Sequence, residues 1–261
     1  MNPWASKRKR NIFLVVFLAL VILIGTPVYF VFFNKTPTCS DGKMNGGETG
    51  IDCGGGCQLI CTAESLPLLT VGDPRILPVG NGNYTVVVQV ENPNVGSEVK
   101  QAGYTIKVYE EGEVVPVKTI GSVTYAPRDS QFVIFEGPFP IGSRMPNRAV
   151  FAWNTDMAFE KTTVDPVDLS IKNKVLTRET TEPKLSATVA NDSFASAKNI
   201  ELVALMYNVE GNIIAASRTI VDSLDGRSET PVVFTWPAPF IATSTTSAII
   251  PRVFPDPLLL R

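Results

Sequence analysis

No histidine occurs anywhere in the 261 residues. That removes the Ser-His-Asp and Cys-His nucleophile arrangements and the imidazole ligands of most catalytic zinc sites. Charge is sparse at 18%, and the formal net charge of −2 comes without a clustered basic face outside the N-terminus. Nucleic-acid binding needs such a face, so no nucleic-acid partner is expected. Cysteine is absent after residue 61, and acidic residues are absent before residue 34. The sequence therefore predicts a protein that is not an enzyme, with chemistry confined to a short segment near its start.

The first thing present is a membrane-length apolar run. Lys7-Arg8-Lys9-Arg10 precede IFLVVFLALVILIGTPVYFVFF, Ile12 to Phe33, which holds no charge. As a helix these residues span about 33 Å, close to the hydrocarbon thickness of a bilayer. The alternative is a cleaved signal peptide. Its apolar region is shorter and ends in small residues, whereas this run ends in bulky aromatics. The expectation is a single-pass signal anchor in the cell membrane. The basic cluster keeps residues 1–11 in the cytoplasm, and residues 12–33 form the transmembrane helix. The bulk of the chain is then extracytoplasmic. It carries nineteen basic against twenty-five acidic residues, net −6, which suits a soluble ectodomain.

All four cysteines lie in the next segment, 34–64, at Cys39, Cys53, Cys57 and Cys61. The C-x13-C-x3-C-x3-C spacing lacks the C-x2-C pairs of a zinc ribbon or a thioredoxin-like site. An exterior location favours two disulfides, with three connectivities open; a four-cysteine zinc site is the alternative. Asp41, Asn45, Glu48 and Asp52 sit between the first two cysteines on a glycine-rich stretch. Hard oxygen ligands on such a loop suit Ca²⁺, though not in EF-hand order. The competing role is turn-capping, with these oxygens accepting nearby backbone N–H groups.

The stretch resembles a short cysteine module of secreted and surface proteins, C-x-D-G-x-x-N-G-x-E-x-G-x-D-C-G-G-x-C. The resemblance is carried by Cys39, Asp41-Gly42, Asn45-Gly46, Glu48, Gly50, Asp52-Cys53-Gly54-Gly55 and Cys57. Such modules close with C-x-x-C, and here Cys57 and Cys61 stand one residue further apart. The resemblance implies an extracellular, disulfide-stapled unit and no catalysis. So short a segment buries too little apolar surface to hold itself without covalent ties.

The remainder reads as a repeat at an offset of 99 residues. Val86, Val88, Val90 and Asn92 align with Leu185, Ala187, Val189 and Asn191. FVIFEGPFP, from Phe132, aligns with PVVFTWPAP, from Pro231. Ala149–Phe151 align with Ala248–Ile250. VYEEGEVV, from Val108, aligns with MYNVEGNII, from Met206, after a slip of one. The runs alternate as strands and are joined by glycine-containing turns. No sustained 3.6-residue period follows the anchor. The predicted fold class is therefore all-β, with two tandem Ig-like β-sandwiches of some seven strands, over 65–164 and 165–261.

The second unit resembles a family of small bacterial and archaeal sandwich domains named for an F-x-L-Y-D strand. Met206-Tyr207-Asn208 stand at the Leu-Tyr-Asp position, and the first unit has Val108-Tyr109-Glu110. The resemblance implies an envelope-associated module.

Other residues invite functional readings. Glu110, Glu111 and Glu113 look like carboxylate pairs but fall at a hairpin turn. Arg128-Asp129 and Asp225-Gly226-Arg227 occupy equivalent turns, which favours structure. Trp153 and Trp236 could stack a ligand, but aromatic side chains of a sandwich usually fill its core. Three sequons begin at Asn34, Asn83 and Asn191, the last at the repeated asparagine, where a turn role competes. Leu258–Leu260 close the chain as an apolar patch suited to strand packing or a partner.

The function expected is a membrane-anchored surface protein. Its tandem sandwiches serve binding, adhesion or envelope structure, with a protein or cell-surface partner. The alternative is an accessory ectodomain of a membrane enzyme or of a transport or secretion complex. A constant stoichiometric membrane partner would mark the second.

Overall fold

The computed structural model describes residues 3–33, 36–154 and 157–255. The chain divides into two compact units, Met1–Cys57 and Gln58–Arg261.

In the first unit, helix α1 spans Pro3–Phe33. Its apolar stretch Arg8–Phe30 has a mean hydropathy of 2.7 and is long enough to cross a membrane. No protein covers the side chains of that stretch, so they are suited to lipid. Pro27 lies inside the helix, and beside it Thr26 Oγ1 donates to the Ile22 carbonyl at 2.6 Å. Such back-bonding lets a membrane helix tolerate proline. The rest of this unit is a chain of turns closed by a disulfide between Cys39 and Cys57.

The second unit holds both repeats, each a sandwich of two antiparallel sheets. In the first repeat, β1 (Leu69–Thr70), β2 (Arg75–Gly80), β3 (Asn83–Glu91) and β6 (Gln131–Pro140) form one sheet, in which β3 pairs with the other three. The facing sheet has β4 (Ser97–Glu110) between β5 (Lys118–Ala126) and β7 (Pro146–Trp153), with β8 (Glu160–Lys161) on the start of β4. In the second repeat, β9 (Leu169–Thr177), β10 (Lys184–Asn191) and β13 (Glu229–Thr235) face β11 (Ala197–Tyr207), β12 (Ile213–Leu224) and β14 (Thr246–Val253). Among the described residues each repeat has six long strands, and the first adds the two-residue β1 and β8, against some seven expected in each. The segment between the repeats, 162–168, contributes no strand. Residues 58–61 belong to this unit too. Ile60 N–H bonds the Phe159 carbonyl and Lys161 N–H bonds the Gln58 carbonyl, both at 2.8 Å.

Alternation fills each interior. Val86, Val88, Val90, Ile106, Val108, Phe132 and Ile134 pack in the first repeat; Leu185, Val189, Leu202, Met206, Val232 and Phe234 pack in the second. The register corrects the sequence alignment. Val88 pairs with Ile134 and Ala187 pairs with Val232. The counterpart of Val232 is therefore Ile134, and the one-residue slip already applies there. Val133, which the 99 offset aligns with Val232, points to the opposite face. The loop after Asn92 runs five residues to the carbonyl of Ser97, that after Asn191 only four to Ala195. The missing residue is in that loop, and the offset is 98 from there on.

A third apolar cluster joins the repeats. Leu77, Val87 and Val133 on β2, β3 and β6 meet Val203, Leu205 and Ala216 on β11 and β12. The strands that meet there are buried on both faces: β11 is buried continuously from Ile200 to Met206, and Val86 to Val88 are all buried. Sheets covered on both sides carry such uninterrupted apolar runs.

Candidate functional site

The oxygen-bearing loop of the first unit is organised by its own backbone. Both carboxylate oxygens of Asp52 accept the Gly42 N–H at 3.0 Å. Asp41 accepts the Lys43 N–H and the Asn45 amide, each at 3.0 Å. Glu48 Oε2 accepts the Asn45 N–H at 3.2 Å, while the Glu48 N–H bonds the Asn45 carbonyl. The Asn45 bond, together with backbone donors, holds the Asp41 carboxyl below its ordinary value. The Oδ1 of Asn45 is buried and has no hydrogen-bond partner among the described residues. These four side chains are the ones that would hold Ca²⁺. Among the described residues, however, no three carboxylates converge here. The group of metal-ligand type that does converge is Cys39, Glu48 and Cys57, within 4.8 Å. Its two sulfurs are already bonded to each other, so it offers one carboxylate. Cys53 and Cys61 are also disulfide-bonded, and no described cysteine is free. Gly55 is required by packing: a Cβ there would lie 1.8 Å from the Gly47 carbonyl oxygen.

In the second unit the repeated asparagine does the same job twice. Asn92 is buried at the end of β3, and its amide donates to the carbonyls of Ser97 and Pro127, each at 2.9 Å. Asn191 is buried at the end of β10 and donates to Ala195 and Leu224 at 2.8 and 3.1 Å. Each Oδ1 accepts the N–H two residues on, from Asn94 and Ser193. The side chain ties three chain segments together, and Asn191 is a structural knot rather than an exposed acceptor. Asn83, at the β2–β3 turn, gives its amide to the Gly80 and Asn81 carbonyls at 3.3 Å. The sequon at Asn34 and the patch Leu258–Leu260 lie outside the described residues.

The equivalent turns are structural as well. Asp129 accepts the Gly96 N–H, and Asp225 accepts the Ser196 hydroxyl. Ser130 and Ser228 donate to the carbonyls of Pro127 and Asp225. A Cβ on Gly226 would sit 2.0 Å from the Phe194 carbonyl oxygen. Glu110 accepts the Met145 N–H, and Glu111 and Glu113 are exposed. Trp236 is buried with its indole N–H on the Ala216 carbonyl at 3.0 Å; Trp153 packs at the core edge against Phe151 and Tyr104.

The polar centre that sequence reading missed lies between the repeats. Glu201 and Arg252 are cross-strand partners on β11 and β14, both buried. Arg252 Nε and Nη2 reach Glu201 Oε2 at 3.1 and 2.6 Å. Arg252 Nη1 crosses to the first repeat, bonding Thr124 Oγ1 at 2.9 Å and the Tyr125 carbonyl at 3.1 Å. Its guanidinium lies over the rings of Phe132 and Phe254, 4.9 and 4.3 Å from their centroids. Arg218 approaches Glu201 Oε1 at 3.5 Å. Nearby, Tyr104 donates its hydroxyl to Glu136, and burial together with that carboxylate pushes the phenol pKa up.

Beside this centre a groove of about 520 Å³ runs along the seam. Tyr125, Pro127, Val167, Leu169, Val253 and Pro255 line it, with Glu98, Asp129, Asp165 and Asp168 among its polar groups. Arg128 closes one side, bonding the Thr162 carbonyl at 2.9 Å and Asp165 at 3.0 Å. Tyr125 donates to Glu98 at 2.6 Å; burial and that bond raise its pKa. The residues come from β4, β5 and the turn after it, the inter-repeat segment, the start of β9, and β14 with the residues that follow it, so only the paired repeats assemble them.

No known family matches the sequence, and no curated protein matches it. Among solved structures, the chain is similar to red sea bream transglutaminase at 11% identity and a TM-score of 0.19, over 70% of this chain and 31% of that one. It is also similar to the C-terminal globular domain of an oligosaccharyltransferase from Pyrococcus abyssi, at 9% identity and a TM-score of 0.15. That match covers 67% of this chain and 42% of that one. The chain therefore spans less than half of either structure, and such distant likeness carries no functional argument.

Proposed function

We propose that this chain is a non-enzymatic, membrane-anchored surface protein whose paired Ig-like sandwiches present a binding surface outside the cell. The observation that carries the reading is the shared third core with Arg252 at its margin, which makes two repeats one rigid platform. Rigid platforms lower the ordering cost of binding. The apolar helix supplies the anchor, the basic residues before it favour a cytoplasmic N-terminus, and the disulfides suit an oxidising exterior. Glu201, Tyr104 and Tyr125 are each consumed in bonds within their own repeat, and Arg252 carries the network across to Thr124 and the Tyr125 carbonyl, which is a structural use of charge.

The test is cross-linking of the tagged full chain in its native membrane, followed by detergent extraction and mass spectrometry. Recovery of a cell-surface or soluble ligand supports the reading. A constant stoichiometric membrane enzyme or transporter would make the chain its accessory subunit instead. A membrane-impermeant reagent that labels the chain only from the cytoplasmic side would sink the topology.

A further inference from the structure

The seam groove has an unbalanced charge. Arg252 is committed to Glu201, and Arg128 is shared between Asp165 at 3.0 Å and Asp129 at 3.8 Å. Glu98 is bonded by the neutral Tyr125 hydroxyl, and Asp168 forms no ion pair among the described residues. The groove therefore keeps a surplus of negative charge beside a wall of proline, valine and leucine. Its volume lies within the range of ligand-binding clefts, which pair apolar walls with a few placed polar groups.

We propose that this groove docks a segment of a partner protein that sets an arginine or lysine among Asp129, Asp165 and Asp168. The flanking apolar side chains of that segment pack on Val167, Leu169 and Val253. The charge surplus selects a cation, and the apolar wall selects a peptide over a free metal ion, whose hard oxygen shell would gain nothing from proline and valine. The proposal rests on the binding-platform reading and names its site.

The experiment uses the full chain in nanodiscs and two fluorescein-labelled peptides, acetyl-Leu-Val-Arg-Val-Leu-amide and its glutamate counterpart, with empty nanodiscs subtracted. Expected is saturable binding of the arginine peptide that weakens about tenfold for the glutamate peptide. It should weaken similarly with Asp168→Asn and further with Asp129→Asn/Asp168→Asn, and fall with added salt. Unchanged far-UV circular dichroism shows that the variants fold. Equal binding of the two peptides, indifference to both variants, or no saturation up to about 1 mM overturns the proposal. So does tighter peptide binding when Leu258, Leu259 and Leu260 are replaced by serine, because that assigns the groove to the chain's own C-terminus. If the groove fails while cross-linking recovers a surface ligand, the platform reading survives without this site. If no partner is recovered, the platform reading fails independently.

Discussion

Arg252 Nη2 lies 2.6 Å from Glu201 Oε2, with each side chain only 4% exposed. The pair belongs to the second repeat, yet the remaining guanidinium nitrogen bonds the first. Replacing Arg252 by alanine leaves a buried carboxylate whose remaining cation is Arg218, at 3.5 Å. The expected cost is about 3–5 kcal/mol. The double variant Glu201→Leu/Arg252→Met should recover most of it, since an apolar pair removes the stranded charge. Urea unfolding of the unaltered protein, Arg252→Ala and the double variant measures both, and a double variant no better than Arg252→Ala would refute the buried-charge explanation.

The shared core predicts cooperativity. Leu205 is fully buried between the repeats. Leu205→Ala should cost about 2–5 kcal/mol. Leu205→Lys should go further and split one unfolding transition into two, because each sandwich keeps its own interior. Scanning calorimetry distinguishes one endotherm from two.

Asn92 and Asn191 make matching sets of bonds, so their alanine variants should cost matching amounts. Each removes two amide donors to backbone carbonyls and one acceptor of a backbone N–H, the Pro127 carbonyl keeping the Ser130 hydroxyl, and about 1–3 kcal/mol is expected for either. A large loss for one and none for the other would show that the equivalence in geometry is not one in energy.

The bond between Cys39 and Cys57 encloses 18 residues of sequence separation. Such a loop contributes about 3 kcal/mol in the chain-entropy account. Cys39→Ser/Cys57→Ser should therefore expose the 36–57 segment to proteolysis while the sandwiches still unfold at their usual denaturant concentration. With every cysteine oxidised, intact mass should read four hydrogens below the reduced chain.

Alkaline pH should destabilise the first repeat. Tyr104 and Tyr125 both have pKa values raised above 10.0, chiefly by burial and then by a neighbouring carboxylate. A raised folded-state value means stability that is complete below the unfolded pKa and declines as pH climbs from about 10 toward the folded value. Melting temperature should be flat from pH 8 to about 9.5 and fall above it. Tyr104→Phe should soften that fall, and ultraviolet absorbance should show Tyr104, Tyr125 and Tyr207 titrating late, the last also raised chiefly by burial.

Much of the architecture could be read from the chain. The apolar run, the alternation of Val86, Val88 and Val90, and the repeated asparagine each point to one element through a local rule. The pairing of the repeats did not emerge, although its trace is visible once the register is known. Val203 and Leu205 stand where the first repeat has Thr105 and Lys107, and Val87 stands where the second has Ser186. One repeat is apolar on a face where its copy is polar, which alternation within a single strand does not reveal. Glu201 and Arg252 carry no local signal of burial for the same reason. The seam groove was illegible because its walls come from segments more than 120 residues apart, brought together only by packing.

That asymmetry sets the kind of joint between the repeats. The face used by the first repeat, on β2, β3 and β6, corresponds to β9, β10 and β13 of the second, not to the β11 face it meets. The contact is head-to-tail, the kind of joint that, repeated, propagates into an open filament. Lys107, Thr119 and Arg148 on one outer sheet, and Ser186 with the Lys172–Glu229 pair on the other, stand where the next joints would form. Beside those polar groups each face also exposes valine, Val150 on one and Val175 and Val233 on the other.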